Sequence, residues 1–307
     1  MYLFNFIKQM TRKSNIPTIC YLVLNVLLIS GILYVVLSEK RVPFAEAVLM
    51  AIVFYVVSLL IGLSPLGEMI LRKQTGCKKI VQVDQINYLE PIFREVYKKA
   101  KKLDPTIPDD VELYISSDKE PNAFATGRRT ICVTEGLLNM PADQIKATLA
   151  HEFGHIAHKD TDQILLVAVG NLFVSAFIFL IKVLLEITRL VSYFVTSLFM
   201  GKDADILMFL YEISNAIFNA IINGLTWVWT KIGILLVMKS SRANEFEADE
   251  FAFNLGYGDE LCLLLDIVGS TSAKGLFANL TSSHPNKADR ISKLKELGAT
   301  YRTRYIA

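Results

Sequence analysis

The sequence predicts a mainly α-helical, polytopic membrane protein with a small β-sheet. Four transmembrane helices form two hairpins that alternate with two soluble segments. Three observations predict this. The chain has 307 residues, 52% of them hydrophobic, and a mean hydropathy of +0.39, too apolar for an ordinary soluble domain. It contains four apolar stretches long enough to cross a bilayer, which takes roughly 20 residues. Between them, apolar residues recur mostly at helical spacing, with only short runs of strand-like alternation.

The apolar stretches cover about 16–37, 44–63, 164–187 and a part of 206–238. The first is too long for the core of a signal peptide, and the second follows it quickly, so the start is read as a membrane hairpin. Orientation follows from Lys and Arg near the membrane ends. Lys8, Arg12 and Lys13 precede the first span; Arg72, Lys73, Lys78 and Lys79 follow the second; Lys239 and Arg242 follow the fourth. In the loop between the first two spans, Lys40 and Arg41 are offset by Glu39 and Glu46. The N-terminus and both soluble segments are therefore expected on the cytoplasmic face. The chain divides into 1–63, 64–163, 164–238 and 239–307. The two soluble pieces, each small for a domain, are expected to form one domain interrupted by the second hairpin.

The first soluble piece opens with a helix in which Tyr88, Leu89, Ile92, Phe93, Val96, Tyr97 and Ala100 repeat at helical spacing. Val111, Leu113 and Ile115 alternate with polar residues, which predicts a strand. Residues 122–126 read as extended, and Gly127-Arg128-Arg129 turns them into a second strand at 130–134. Pro141 then opens a helix. The second soluble piece is helical from about 242 to 255, stopped by Gly256 and Gly258. A last helix starts at Pro285 and ends before Gly298.

The helix after Pro141 carries His151-Glu152-Phe153-Gly154-His155. Two histidines four apart on a helix point the same way and reach one metal ion. Glu152, beside the first, is placed to poise a water for attack on a carbonyl. The chain has only four histidines, and three of them lie within 151–158, which argues against a chance match. Asp143, Gln144, Lys146, Lys159 and Asp160 flank the motif, so its helix is water-exposed rather than inside the hydrocarbon.

Catalytic zinc takes three protein ligands and keeps one position open. His158 shares the helical face, but lies about 10 Å along the axis from His151, too far for an ion about 2 Å from each ligand. A carboxylate from elsewhere is the better candidate. Glu245 and Asp249 lie four apart on one face of a helix, so Glu245 can bind the ion while Asp249 orients a ligand histidine. By spacing alone, a charged surface helix explains the pair equally well. The net charge of +2 implies no nucleic-acid partner. Cys20, Cys77, Cys132 and Cys262 show no CxxC spacing and read as free thiols of a reducing compartment.

Taken together, His151-Glu152-Phe153-Gly154-His155, Asp160, and Glu245-Phe246-Glu247-Ala248-Asp249 beyond a membrane hairpin resemble the HtpX family of membrane zinc endopeptidases. These are gluzincins related to the CAAX prenyl proteases. Pro121-Asn122-Ala123-Phe124-Ala125-Thr126-Gly127 is similar to that family's substrate-strand motif. Ser283-His284-Pro285 followed by Arg290-Ile291 is similar to its C-terminal motif. Asn244 departs from the pattern, where a basic residue is frequent. The resemblance spans the whole chain. It implies a gluzincin-type zinc protease domain with one zinc per chain, held by His151, His155 and Glu245. It makes Glu152 the general base, and puts Asp249 and Asp160 behind the ligands.

His284 either stabilises the oxyanion or substitutes as a ligand; its bland reading is a helix-start residue before Pro285. Arg290 either joins the site or anchors its helix. Asn122, Ala123, Phe124, Ala125 and Thr126 form the edge strand to which an extended substrate adds.

The expected substrates are membrane or misfolded polypeptides, and the expected location is a bacterial inner membrane. Rival readings are a CAAX-type peptidase, which would have more spans, and an inactive relative acting as a scaffold, which would lack Glu152 or a ligand. A metal transporter would place its histidines inside the spans. Glu212, Asn215, Asn219 and Asn223 form a polar stripe along the fourth span. It serves either as helix–helix glue or as the lining of a cavity that receives substrate from the bilayer.

Overall fold

The computed structural model of the protein describes residues 16–37, 42–199, 203–267 and 286–301. Its two N-terminal helices, α1 (Ile16–Val36) and α2 (Phe44–Gly62), are apolar on every side. Such helices suit a bilayer rather than water, and both are long and apolar enough to cross one. Leu27, Leu49 and Val53 face outward. Ala47 and Ala51 are fully covered, so the backbones approach closely through small residues. Asn25 Nδ2 donates to the Tyr55 hydroxyl at 2.7 Å, a polar tie between apolar helices.

A short amphipathic helix, α3 (Pro65–Gln74), follows directly. Ser64 caps it by accepting from the Leu66 N–H, with Pro65 in the first turn. After β1 (Lys78–Lys79) comes α4 (Val83–Leu103), which buries Leu89, Ile92, Phe93, Val96, Tyr97 and Ala100. Those residues repeat at intervals of three and four, so one stripe faces the core.

The sheet adds β2 (Glu112–Ser116), β3 (Ala123–Ala125) and β4 (Thr130–Thr134). Its order is β1-β2-β4-β3. β1 is antiparallel to β2, β2 is parallel to β4, and β4 is antiparallel to β3. In register, Ala123 faces Val133, Phe124 faces Cys132 and Ala125 faces Ile131. β3 is therefore an edge strand. Gly127, at φ 70°, supplies the left-handed residue that turns β3 into β4.

After a 3₁₀ turn (Glu135–Asn139), α5 (Ala142–His158) packs on α4 and the sheet. Phe153 stacks on Tyr97 at 5.3 Å and on Phe93 at 5.6 Å between ring centroids. Aromatic contacts of this kind add about 1 kcal/mol beyond area burial. Then follow α6 (Thr161–Phe199), α7 (Asp203–Asn254), α8 (Gly258–Ile267) and α9 (Lys287–Leu297). The described residues are thus mostly helical with one small mixed sheet.

The chain separates into two compact units, Met1–Gly170 with Leu236–Ala307, and Asn171–Leu235. Within the second, Lys182 on α6 donates to Asn223 Oδ1 on α7 at 2.5 Å, and Arg189 lies 3.5 Å from Glu212. Two members of the polar stripe thereby reach across to α6. Asn219 Nδ2 donates back to the Asn215 carbonyl at 3.0 Å.

One expectation is corrected. The sequence pattern suggests a span within 206–238 and a separate helix from 242, whereas α7 runs unbroken from Asp203 to Asn254. A change from apolar to charged residues near Lys239 alters what surrounds a helix but leaves its i→i−4 ladder intact. Ending the ladder takes a proline or a capping residue, and α7 contains no proline.

Candidate metal centre

The site is built where α5 crosses the end of α7. Gly154 makes that crossing possible: a Cβ there would sit 2.8 Å from the Ala248 Cα and 3.1 Å from its Cβ, closer than packed carbons tolerate. With no side chain at 154, the two backbones touch. His151 and His155, on either side of Gly154 along α5, then face Glu245 and Asp249, on either side of Ala248 along α7.

The ligand atoms converge. His151 Nε2 lies 3.2 Å from His155 Nε2. The Glu245 carboxylate reaches both, one oxygen 3.5 Å from His151 Nε2 and the other 3.4 Å from His155 Nε2. An ion held tetrahedrally at about 2.0–2.1 Å separates its ligand atoms by roughly 3.3–3.4 Å. Each histidine stands near that spacing from one of the two Glu245 oxygens, and with one ligand atom taken from each residue the three groups lie within 4.8 Å of one another. Among the described residues, His151, His155 and Glu245 are the cluster able to hold a metal ion.

The other face of each imidazole is taken by a carboxylate. His151 Nδ1 lies 2.9 Å from Asp249 Oδ1, and His155 Nδ1 lies 3.1 Å from Asp160 Oδ2. With each Nδ1 set against a carboxylate, both Nε2 atoms are turned toward the same spot, an arrangement that suits a cation between them. Asp160 reaches back because Lys159 adopts the left-handed conformation, φ 62°, at the C-cap of α5. The Asp160 N–H then donates to the His155 carbonyl at 3.0 Å.

Arg290 on α9 closes the back of the site. Its Nε and an Nη donate to the two Asp249 oxygens at 2.8 and 2.6 Å, and its other Nη lies 3.2 Å from Glu245. Glu152, Asp160, Glu245 and Asp249 are all buried, as is Arg290. Four carboxylates against one guanidinium leave an excess of negative charge that a divalent cation offsets.

The titrating groups show the same balance. Burial pushes His151 down, but its hydrogen bonds to Asp249 and Glu245 outweigh that and leave it above the ordinary histidine range. For His155, burial likewise pushes down, while Asp160 and Glu245 lift it well above that range. Burial raises the Asp249 carboxyl, and the charge of Arg290 together with the hydrogen bonds from Arg290 and His151 more than offsets it, holding Asp249 below its usual value.

Glu152 faces the sheet. Its Oε2 accepts from the Ala125 backbone N–H at 2.7 Å. Along β3 the N–H groups alternate in direction. The Thr126 N–H goes inward to Thr130 at 2.9 Å, and the Ala125 N–H points outward to Glu152. Asn122 is exposed and exchanges bonds with Thr134, while Ala123, Ala125 and Thr126 are buried and Phe124 is half-buried. His158 is half-buried, set edge-on to Phe251 at 6.0 Å. His284 lies outside the described residues.

The family model of peptidase family M48 matches residues 85–298, a stretch that includes β3, α5, the end of α7 and α9. The chain belongs to peptidase family M48. Among curated proteins it is 27% identical to "Protease HtpX" of Psychrobacter sp. over 82% of this chain and 84% of that protein. It is 27% identical to "Protease HtpX" of Shewanella halifaxensis over 88% and 95%. It is 30% identical to "Protease HtpX homolog" of Acaryochloris marina over 70% and 75%. Among solved structures it is similar to S. mikatae Ste24p, with a TM-score of 0.42 and 19% identity, over 87% of this chain and 61% of that one.

The protein is thus an HtpX-like M48 metalloprotease. Part of this M48 site escapes a reading of the sequence. The outward N–H of Ala125 has no side-chain signal. Arg128, buried in the turn after β3, pairs through both its fork nitrogens with Asp162 at the start of α6, and nothing local in either segment announces the pairing. Glu68 accepts from the Arg128 N–H at 3.0 Å. The sequence signal that could have found the helix presenting it is Ser64-Pro65, a cap followed by a first-turn proline.

Proposed function

We propose that this M48 protein is an integral-membrane zinc endopeptidase with one zinc per chain, acting on membrane or misfolded proteins in membrane quality control. The observation that carries the reading is the convergence of His151 Nε2, His155 Nε2 and the Glu245 carboxylate within 4.8 Å of one another, with Glu152 tied to the edge strand beside them. Two nitrogens and one carboxylate are a donor set of catalytic zinc, with the fourth corner left for chemistry.

His151, His155 and Glu245 hold the ion. Asp249 and Asp160 fix both imidazoles with Nε2 inward, and Arg290 fixes Asp249. When bound, the ion polarises the scissile carbonyl and lowers the pKa of its water towards 7. Glu152 takes a proton from the attacking water and passes it to the leaving amine. The Ala125 N–H keeps Glu152 turned for that work. The edge of β3 accepts an extended chain through its main chain, which suits broad sequence preference. His284 is proposed to assist the oxyanion.

In the same reading, α6 and α7 supply two further spans, giving four in two hairpins, with 64–163 and 239–307 joined into one catalytic domain. That domain faces the cytoplasm of a bacterial inner membrane. The Lys and Arg that follow the second and fourth spans support this orientation.

The test is zinc stoichiometry and casein hydrolysis on the purified full chain, with and without a chelator. One zinc per chain and chelator-sensitive cleavage lost in Glu152→Gln are expected. Cleavage that survives both the chelator and the substitution overturns the reading.

A further inference from the structure

The turn after β3 is locked by charges that hydrolysis itself does not require. Arg128 is 7% exposed and Asp162 is 0% exposed. The Arg128 Nε donates to Asp162 Oδ1 at 2.8 Å, and its Nη2 donates to Oδ2. Glu68, 4% exposed, accepts from the Arg128 backbone N–H at 3.0 Å. Gly127 lies against the Glu68 side chain so tightly that a Cβ would fall 2.6 Å from its Cδ. Arg72 closes the other side, 2.9 Å from the Thr130 hydroxyl and 3.7 Å from Glu68.

Both ends of this lock lead to the metal centre. Three residues upstream of Arg128, Ala125 at the end of β3 donates the N–H that holds Glu152. Just upstream of Asp162, in the turn where the Asp162 N–H donates to the Lys159 carbonyl at 3.1 Å, Asp160 holds His155. Glu68 comes from α3, which continues directly from the apolar helix α2. A buried ion pair is a poor source of stability compared with apolar packing. What a bidentate fork supplies instead is fixed geometry.

We propose that Arg128, Asp162 and Glu68 are positioning residues that set β3 at a fixed distance from His155 and Glu152. A peptide adding to the β3 edge then arrives with its scissile carbonyl in place. The proposal rests on the endopeptidase reading above. The lock also ties the turn of the substrate strand to α3, the helix that follows the apolar α2.

The experiment uses the full chain in detergent, with Asp162→Asn, Arg128→Lys, Glu68→Ala and, as a surface control, Lys293→Gln. Each is measured for KM and kcat on an unstructured peptide, for zinc content, and for amide hydrogen exchange of 123–126. Loosening a preorganised strand weakens binding more than it slows the bound complex, so KM is expected to rise about tenfold with kcat within about twofold. Zinc stays near one per chain, and the β3 amides exchange about tenfold faster. The control matches wild type.

Wild-type KM and wild-type exchange in both Asp162→Asn and Arg128→Lys overturn the proposal, as does a loss of kcat that only follows the folded fraction. If Asp162→Asn fails to fold, Arg128→Lys, which keeps the charge and loses the fork, decides. If the wild-type chain shows no chelator-sensitive cleavage, the endopeptidase reading fails, and the exchange of 123–126 still decides whether the lock positions β3.

Discussion

The backbone N–H of Ala125 donates to the Glu152 carboxylate across 2.7 Å. One bond thus joins the edge strand to the metal-ligand helix. It commits one oxygen of Glu152 to the strand and leaves proton transfer to the other. Glu152→Gln keeps an acceptor for Ala125, so its fold and zinc content are expected to stay at wild type. Peptide cleavage is expected to fall by at least about 10²–10⁴-fold, the worth of a positioned acid–base group. Zinc analysis and steady-state assays on the same preparation check this.

Gly154→Ala tests the helix crossing. Its new Cβ meets the Ala248 Cα at 2.8 Å, so α5 and α7 must separate. A loss of about 1–3 kcal/mol in stability is expected from overpacking, and Glu245 moves off its corner. Competition titration with a zinc indicator should show weaker binding than wild type; equal binding would show that the close crossing does not place Glu245.

Asp249→Asn keeps the shape behind His151 and removes the charge that Arg290 answers. Loss of a partner behind a ligand histidine typically costs about 10–100-fold in metal affinity. Asp249→Ala should be worse, because it leaves Arg290 buried and poorly paired, at a cost of about 3–5 kcal/mol. Metal competition and chemical denaturation, run on both variants, separate the two effects.

Protons compete with the metal for the two imidazoles. Both histidines are raised in the metal-free protein, so their protonated forms stabilise that state. That contribution is full below the unfolded histidine pKa of about 6.5 and is lost as pH rises through the raised values. Zinc affinity runs the opposite way, falling as pH falls through the same values. The gap in Tm between zinc-loaded and chelator-stripped protein is therefore expected to widen from pH 6 to pH 8. A constant gap would contradict the arrangement.

Lys159 sits at φ 62°, a conformation that costs an L-residue about 1–2 kcal/mol and glycine almost nothing. Lys159→Gly is expected to hold or raise Tm and keep zinc. Lys159→Val, stiff at its first torsion, should destabilise by about 1–2 kcal/mol and weaken the Asp160–His155 contact. Thermal melts of the two variants side by side give the answer.

What was legible in the sequence was local. The stripe from Leu89 to Ala100, the alternation around Leu113, and the four-residue spacings of His151 with His155 and of Glu245 with Asp249 are all short-range patterns, and each forms the element it suggests. The meeting of the two helical pairs needed Gly154 against Ala248, which no spacing reveals. Lys159 hid its left-handed turn because neither glycine nor asparagine marks it. Arg128 with Asp162 is a pairing between distant segments, so each residue alone looks like an ordinary charge beside a turn. Misreading α7 as two helices came from treating a change of polarity as a break in the backbone.

Histidines 151 and 155 lie before the inserted unit Asn171–Leu235, whereas Glu245 and Arg290 lie after it. A ribosome delivers these groups in that order. Until Glu245 has emerged, the growing polypeptide carries only two of the three groups that the proposed zinc site needs, so that centre cannot assemble before the inserted unit has been made.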